Sequence, residues 1–350
     1  MGDQPSPASL LADANTLPPL ASLMTRAAAA PKAMAFAEGA DPRIVAGALA
    51  GLEAGLITTA HLVGPAAEVE AALAAQGASR ADAIAIHDPE TSDLTDVFAA
   101  RFAELRAHKN VSIEMAQKAV RDPLVFAALL VDAGHAAGSI GGAVATTGDT
   151  VRAALQVIGK AKSAPLVSSF FLMFLPEGHP LGRDVMVFSD CGMVIDPNAQ
   201  ELAGIASQAA DSFAALAGET PKLAMLSFST HGSARHAAVS KVSEATTLAQ
   251  QARPDLVIDG ELQLDAALVP AVAASKAPDG QLQGTANVLI FPNLDAGNIG
   301  YKLAQRFGGA VAIGPVLQGL AKPANDLSRG CTAGDVLAII AVTSLQASAQ

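Results

Sequence analysis

The chain has no tryptophan, and aromatic residues fill only 4% of its 350 positions. That shortage suits a core of small side chains, with helices packed closely on sheets. Charge is also scarce. Charged residues make up 16%, with 22 basic against 33 acidic, for a formal net charge of −11. A nucleic-acid backbone needs a basic surface, so that class of partner is excluded. Small anions are not excluded, because they need only a local pocket of Arg and Lys. Two cysteines, Cys191 and Cys331, give no disulfide framework, and free thiols in a cytoplasmic protein are the plain reading. The mean hydropathy of +0.36 raises the question of a membrane. The apolar runs at 163–175 and 336–350 fall short of the ~18–20 residues that a spanning helix needs. The N-terminus, MGDQPSPASLLADANTLPP, lacks a basic region before an apolar core, so it is not a secretory signal. There is no P-loop, and the glycines at 140–142 do not make G-x-G-x-x-G. The seven histidines show no spacing that would hold a metal.

What is present is a globular, core-rich chain, 51% hydrophobic and long enough for two domains. Residues 1–20, rich in Pro, Ser and Ala, read as a loose lead-in. A βα rhythm follows. Strands are expected at 33–37, 60–63 and 83–86, with helices from Asp41-Pro42 to about 55, at 66–75, at 93–108 and within 113–134. Strands alternating with helices of this length imply a parallel sheet with helices on both faces. From 165 the texture changes. Segments 166–175 and 185–190 read as a hairpin-like pair, and the domain boundary is placed just before them. Then βα units resume, with helices at 199–216, 237–252, 266–274 and 299–307. The strands between them fall at 222–227, 256–259, 287–291 and 310–313, and a closing helix at 332–346.

Residues 314–335, GPVLQGLAKPANDLSRGCTAGD, carry the densest chemistry. The stretch has almost no periodicity. It offers Lys322, Asn325, Asp326, Ser328, Arg329, Cys331, Thr332 and Asp335 in an apolar neighbourhood, with glycines that let the backbone turn. Loops on a rigid scaffold are where such groups do chemistry. Upstream, Arg152 follows Thr146-Thr147-Gly148-Asp149-Thr150, hydroxyls and a glycine at a helix start that suit a phosphate. Each candidate also has a plainer role. Arg329 can be a surface cation, and Ser328 a turn cap. Asp335 lies three residues after Thr332, the spacing of a capping box. A helix N-terminus stabilises a charged carboxylate, which makes for a poorer base. Arg106 shares its helix with Arg101 and Glu104 and can be a solvated charge. Asn298 can be a helix cap. Ser168 and Ser169 can be core hydroxyls, and Cys331 simple packing. No G-x-S-x-G surrounds Ser328, so it is not a triad nucleophile.

The run GPVLQGLAKPANDLSRG, preceded by FPNLDAGNIGYKLAQRFGG, resembles the C-terminal signature of the phosphate acetyltransferase and phosphate butyryltransferase family. ATTGDTVRAALQVIG, APLVSSFFLMFLP and MLSFSTHGSARH continue the likeness, over about 104–347. The resemblance implies two α/β domains with mostly parallel sheets in three layers, the second inserted in the first. The expected boundaries are 1–164 with 315–350, and 165–314, and the active site lies in the cleft between them. It implies acyl transfer between coenzyme A and phosphate, by direct thiol attack within a ternary complex. No cofactor is needed beyond the substrates, which are coenzyme A, its acyl thioester, phosphate and acyl phosphate. Arg329 is matched to the phosphate, Ser328 to the acyl carbonyl and Asp335 to the thiol proton. Arg106, Arg152, Thr147, Lys302 and the Gly319 backbone are matched to substrate binding. A homodimer is implied too. Acetyl is preferred over butyryl as the acyl group. A non-catalytic relative that binds acetyl-CoA is the reading from another class.

Overall fold

The computed structural model describes residues 5–79 and 82–349. The chain divides into two compact units, Met1–Ala161 with Leu320–Gln350, and Lys162–Gly319. Both are α/β.

The first unit opens with helices α1 (Pro7–Asn15) and α2 (Pro18–Ala28). This segment was expected to be loose. Each helix has Pro in its first turn, where the missing N–H costs nothing. Leu10, Ala14, Leu20, Leu23, Met24 and Ala27 are buried, so the two helices belong to the core. Residues 1–4 of the expected lead-in lie outside the described residues.

There follow β1 (Lys32–Phe36), α3 (Pro42–Glu53), β2 (Ile57–Val63), α4 (Ala66–Ala75) and β3 (Ile84–His87). Then come α5 (Thr95–Leu105), α6 (Ile113–Ala119), α7 (Pro123–Asp132), β4 (Gly138–Gly141) and α8 (Thr147–Val157). Ala35, Ala37 and Val63 share one core with residues of α5 to α8. Met34 and Phe36, which alternate with Ala35 on β1, are fully buried as well. Successive strand side chains point to opposite faces, so this sheet is covered on both.

The second unit contains β5 (Ser168–Phe174), β6 (Val185–Ser189), α9 (Ala199–Ala217), β7 (Lys222–Leu226) and α10 (Ala237–Ala252). It continues with β8 (Val257–Leu262), α11 (Leu264–Leu268), α12 (Pro270–Lys276), β9 (Val288–Ile290), α13 (Leu294–Arg306) and β10 (Val311–Gln318). Pro270 splits the helix expected at 266–274 into α11 and α12. The hairpin expected from 166 is present, as β5 and β6 pair antiparallel from Phe170↔Ser189 to Phe174↔Val185. Among the described residues the second sheet runs β10-β5-β6-β9-β7-β8. Its β6, β9, β7 and β8 are mutually parallel.

Strand β10 runs past Gly314, where a loop was expected to begin. Its ladder to β5 shifts register between Ile313 and Val316 and resumes through Gln318↔Ser168. Gly314-Pro315 interrupts the ladder, since Pro has no N–H to give, and that dipeptide makes the sequence look like a loop. The chain then returns to the first unit with β11 (Ala324–Asp326) and α14 (Ala333–Ser348).

Among the described residues the first sheet runs β11-β4-β1-β2-β3 and is parallel throughout. From β1 the chain steps outward through β2 to β3, then crosses back to put β4 on the other side. The strand order therefore reverses between β1 and β4. In a parallel α/β sheet, the crevice beyond the carboxyl ends of strands at such a point is where ligands bind.

Candidate active site

Three segments meet at that reversal point: the turn after β1, the loop from β4 into α8, and the turn from β11 into α14. Glu38 leaves β1 and accepts three successive backbone N–H groups, from Ala143 at 2.6 Å, Val144 at 3.0 Å and Ala145 at 2.7 Å. A run of converging N–H groups is an anion nest. Here a carboxylate of the protein fills it and fixes the loop.

Arg43, in the first turn of α3, braces the other turn. Its guanidinium donates to the backbone oxygens of Arg329 at 2.8 Å, Cys331 at 3.2 Å and Ala143 at 2.7 Å. Its remaining fork pairs with Asp41, at 3.0 Å and 2.8 Å. One side chain thus fastens the Ser328–Cys331 turn to the loop after β4.

On that turn Ser328 and Arg329 are both exposed. The Ser328 Oγ accepts from Gly330 N–H at 3.2 Å, which leaves its proton available to a ligand. The Arg329 guanidinium makes no hydrogen bond or ion pair to the described residues. Asp335 forms the capping box expected of its spacing with Thr332. Its Oδ2 accepts from Thr332 N–H at 2.8 Å and Thr332 Oγ1 at 2.9 Å, and Asp335 N–H donates to Thr332 Oγ1 at 3.2 Å. Both side-chain bonds fall on Oδ2, so Oδ1 stays uncommitted among the described residues. Cys331 is buried, and that burial pushes its thiol up to about 11. A thiol held neutral is a poor nucleophile, which counts against an acyl-cysteine route.

Asp326, the last residue of β11, has no exposed surface, and neither carboxyl oxygen has a hydrogen-bond partner among the described residues. Burial pushes its carboxyl up to about 6, and the neighbouring Glu38 charge adds to the push. The Thr147 and Thr150 hydroxyls and the Leu327 N–H lie near enough to favour the charged form, without completing a well-formed bond. Gly142 makes room for this carboxyl. It sits at φ +95°, and a Cβ there would come within 2.1 Å of Asp326 Oδ1.

Thr147 begins α8 beside Asp326. Arg152, one turn later, is exposed and pairs with Asp149 at 2.6 Å. Asp149 also accepts from Thr146 Oγ1 at 2.7 Å, so the helix start expected to take a phosphate is partly self-capped. Arg106 caps the C-terminus of α5, and no bond brings it to the Ser328 turn. Two of the expected site residues belong to the second unit. Lys302 is exposed on α13 and donates to Asn298 at 2.8 Å. Gly319 turns at φ +85°, where a Cβ would meet Leu166 O at 2.4 Å and Gln208 Nε2 at 2.8 Å. Its close approach is to protein atoms.

Several groups have structural duties. Lys322 caps the C-terminus of α7 through Val131 O at 2.7 Å. Asn325 is buried and ties β11 to Thr343 and Gln346 at 2.8 Å and 2.7 Å. Ser168 and Ser169 are core hydroxyls, bonded to Gln208 and Asp190. Asn298 was expected at a helix start, but α13 begins at Leu294 with Asn293 as its cap. Among the described residues there is no cluster of three or more metal-ligating side chains.

The family model described as phosphate acetyl/butaryl transferase matches residues 20–344. The chain belongs to this family. It is 47% identical over 329 residues to the phosphate acetyltransferase of Paracoccus denitrificans, across 94% of this chain and 99% of that one. The Thermoanaerobacterium thermosaccharolyticum phosphate acetyltransferase is 45% identical, across 93% and 98%. Among solved structures, the EutD phosphotransacetylase from Staphylococcus aureus superposes with a TM-score of 0.85 at 40% identity, covering 93% of this chain and 98% of that one.

Against this family background, two groups at the site were not singled out from the sequence. Glu38 follows directly on the strand expected at 33–37, where nothing local marks it. Arg43 left one signal: a cation in the first turn of a helix runs against the helix dipole, and such a local conflict points to a tertiary role.

Proposed function

We infer that the protein is a phosphate acetyltransferase, which interconverts acetyl-CoA and phosphate with coenzyme A and acetyl phosphate. The observation that carries this reading is the Ser328–Arg329 turn. It presents a free guanidinium and a free hydroxyl proton, on a backbone that Arg43 holds in place. Arg329 holds the phosphate oxygens in its planar fork. The coenzyme A thiol gives its proton to Asp335 Oδ1 while Oδ2 keeps the helix capped, so cap and base roles coexist. The sulfur attacks the carbonyl carbon of acetyl phosphate, the Ser328 hydroxyl donates to the oxyanion, and phosphate departs with the C–O bond electrons. Thr147 and Arg152 bind beside the phosphate, with Arg152 exchanging Asp149 for the ligand. Arg106 and Lys302 are contacts for the phosphates of coenzyme A. Both substrates bring every reacting group, so no cofactor is required, and placement with electrostatics supplies the rate.

The preferred acyl group is acetyl. Initial rates of phosphate-dependent thiol release should be higher with acetyl-CoA than with butyryl-CoA, and the reverse order would reassign the specificity. Binding of coenzyme A with no turnover of either thioester would favour an acetyl-CoA-binding relative.

We also propose a homodimer in the cytoplasm. That location fits two cysteines that form no disulfide, and no helix of the described residues is long and apolar enough to cross a membrane. Helix α13 with its C-cap residue exposes Ile299, Leu303 and Phe307 at 58%, 51% and 86%, one stripe at four-residue spacing. A contiguous apolar stripe on a soluble helix marks an interaction surface. The double substitution Leu303→Glu with Phe307→Glu should halve the mass seen by sedimentation while the helix content stays. A dimer that survives the change would move the interface elsewhere.

A further inference from the structure

Asp326 is the one residue among those described whose buried side-chain oxygens lack any partner. A native protein rarely leaves such a group unexplained, and unexplained ones concentrate at functional sites. Its surroundings are specific. Gly142 is stripped of a side chain to admit it. Thr147 and Thr150 of α8 lie alongside, and Ser328 and Arg329 follow two and three residues later in the chain. The carboxyl therefore lies beneath the turn that presents Arg329 and beside the helix start that carries Thr147.

The charged groups around it are few. Glu38, after β1, is the neighbouring carboxylate, and its charge opposes ionisation of Asp326. Helix α8 carries Asp149 and Arg152, paired with each other at 2.6 Å. Helix α14 carries Asp335, bonded to Thr332. Arg43 is paired with Asp41. The β4–α8 loop, residues 142–146, has no titratable side chain. Among the described residues no cation is bonded to Asp326 to compensate its charge.

We propose that Asp326 is a positioning residue that takes up a proton from solvent when an anion binds at Ser328 and Arg329, so that no uncompensated carboxylate lies beneath the bound phosphate. The proposal rests on the anion site argued above. Two negative groups within a partly buried site repel strongly, so the empty site holds the ionised carboxyl more easily than the occupied one does. Asp326 does not touch the substrate. Its proton sets how well Thr147, Ser328 and Arg329 hold the anion. The expected result is that anion affinity falls as pH rises through the range in which Asp326 titrates, about 6 in the empty protein.

Sulfate is the probe, because it stays a dianion throughout that range and its own titration cannot enter. Calorimetry of sulfate binding to the full chain between pH 5.5 and 8 should show affinity about tenfold weaker at the high end, with net proton uptake on binding. Asp326→Asn should bind sulfate with no pH dependence in this window and no proton uptake. Thr150→Val removes a hydroxyl that favours the charged form, so it should move the midpoint to higher pH. This variant also serves if Asp326→Asn does not fold. A purely structural Asp326 would leave the midpoint where it is. The same pH slope and proton uptake in Asp326→Asn, or an unmoved midpoint in Thr150→Val, would overturn the proposal while leaving the anion site standing. Failure of wild type to bind sulfate at any pH, with no turnover of acetyl-CoA, would overturn the anion site itself and the proposal with it.

Discussion

Arg329→Gln should lower kcat/KM for phosphate and for acetyl phosphate by about a hundred- to a thousand-fold, the usual loss when one preorganised charge donor is removed from a transition state. The thermal midpoint should barely move, because the guanidinium is exposed and bonded to nothing among the described residues. The turn itself persists, since Arg43 grips the backbone oxygen at position 329 rather than the side chain. Gln can donate to one phosphate oxygen, but it offers neither charge nor a two-pronged fork. Steady-state kinetics beside a thermal melt separate the cases. Unchanged kinetics would remove Arg329 from the mechanism. A large fall in both activity and melting temperature would make it structural instead.

Arg43→Ala is the second large effect, and it should act at a distance. The change strips donors from three backbone oxygens, at Ala143, Arg329 and Cys331, and leaves Asp41 without its ion-pair partner. Orphaning groups that are partly buried should cost about 2 kcal/mol or more in stability. Catalysis should suffer more than that suggests. Misplacing a catalytic turn by about 1 Å can cost a hundredfold in rate, so kcat should fall well over tenfold in protein that is still folded. Arg43→Lys keeps the charge but not the fork. It should recover part of the stability and little of kcat. Wild-type kcat in folded Arg43→Ala would show that the turn holds its shape unaided.

These effects depend on contacts that a sequence pattern records unevenly. The alternation of strands and helices was legible, because periodicity and capping are local. Asp41-Pro42 starts α3 as expected, Ala237–Ala252 is a helix end to end, and the 166–190 segment is the antiparallel pair its texture suggested. Strands β4 and β11 were not legible. The first is Gly-Ser-Ile-Gly, buried on both faces and so without alternation, and the second is three residues of low strand propensity. Their strand character comes from pairing with each other, Asn325 against Ile140, across a long sequence separation. The same separation hid the roles of Glu38 and Arg43, whose main-chain partners in the two site loops lie a hundred or more residues away. Lys322 shows the opposite error. It stands in the sequence among the loop's polar, chemistry-bearing groups, yet its ammonium caps α7. Composition singles out the loop, but only the tertiary contacts sort its side chains into those that brace it and those it presents.

The most direct test of the account follows coenzyme A thiol and acetyl phosphate together, starting from acetyl-CoA with and without phosphate. The two products should appear in equal amounts, only when phosphate is present, and at a rate that Arg329→Gln cuts by at least a hundredfold. Thiol release at the same rate without phosphate, or no release from folded protein that binds coenzyme A, would contradict it.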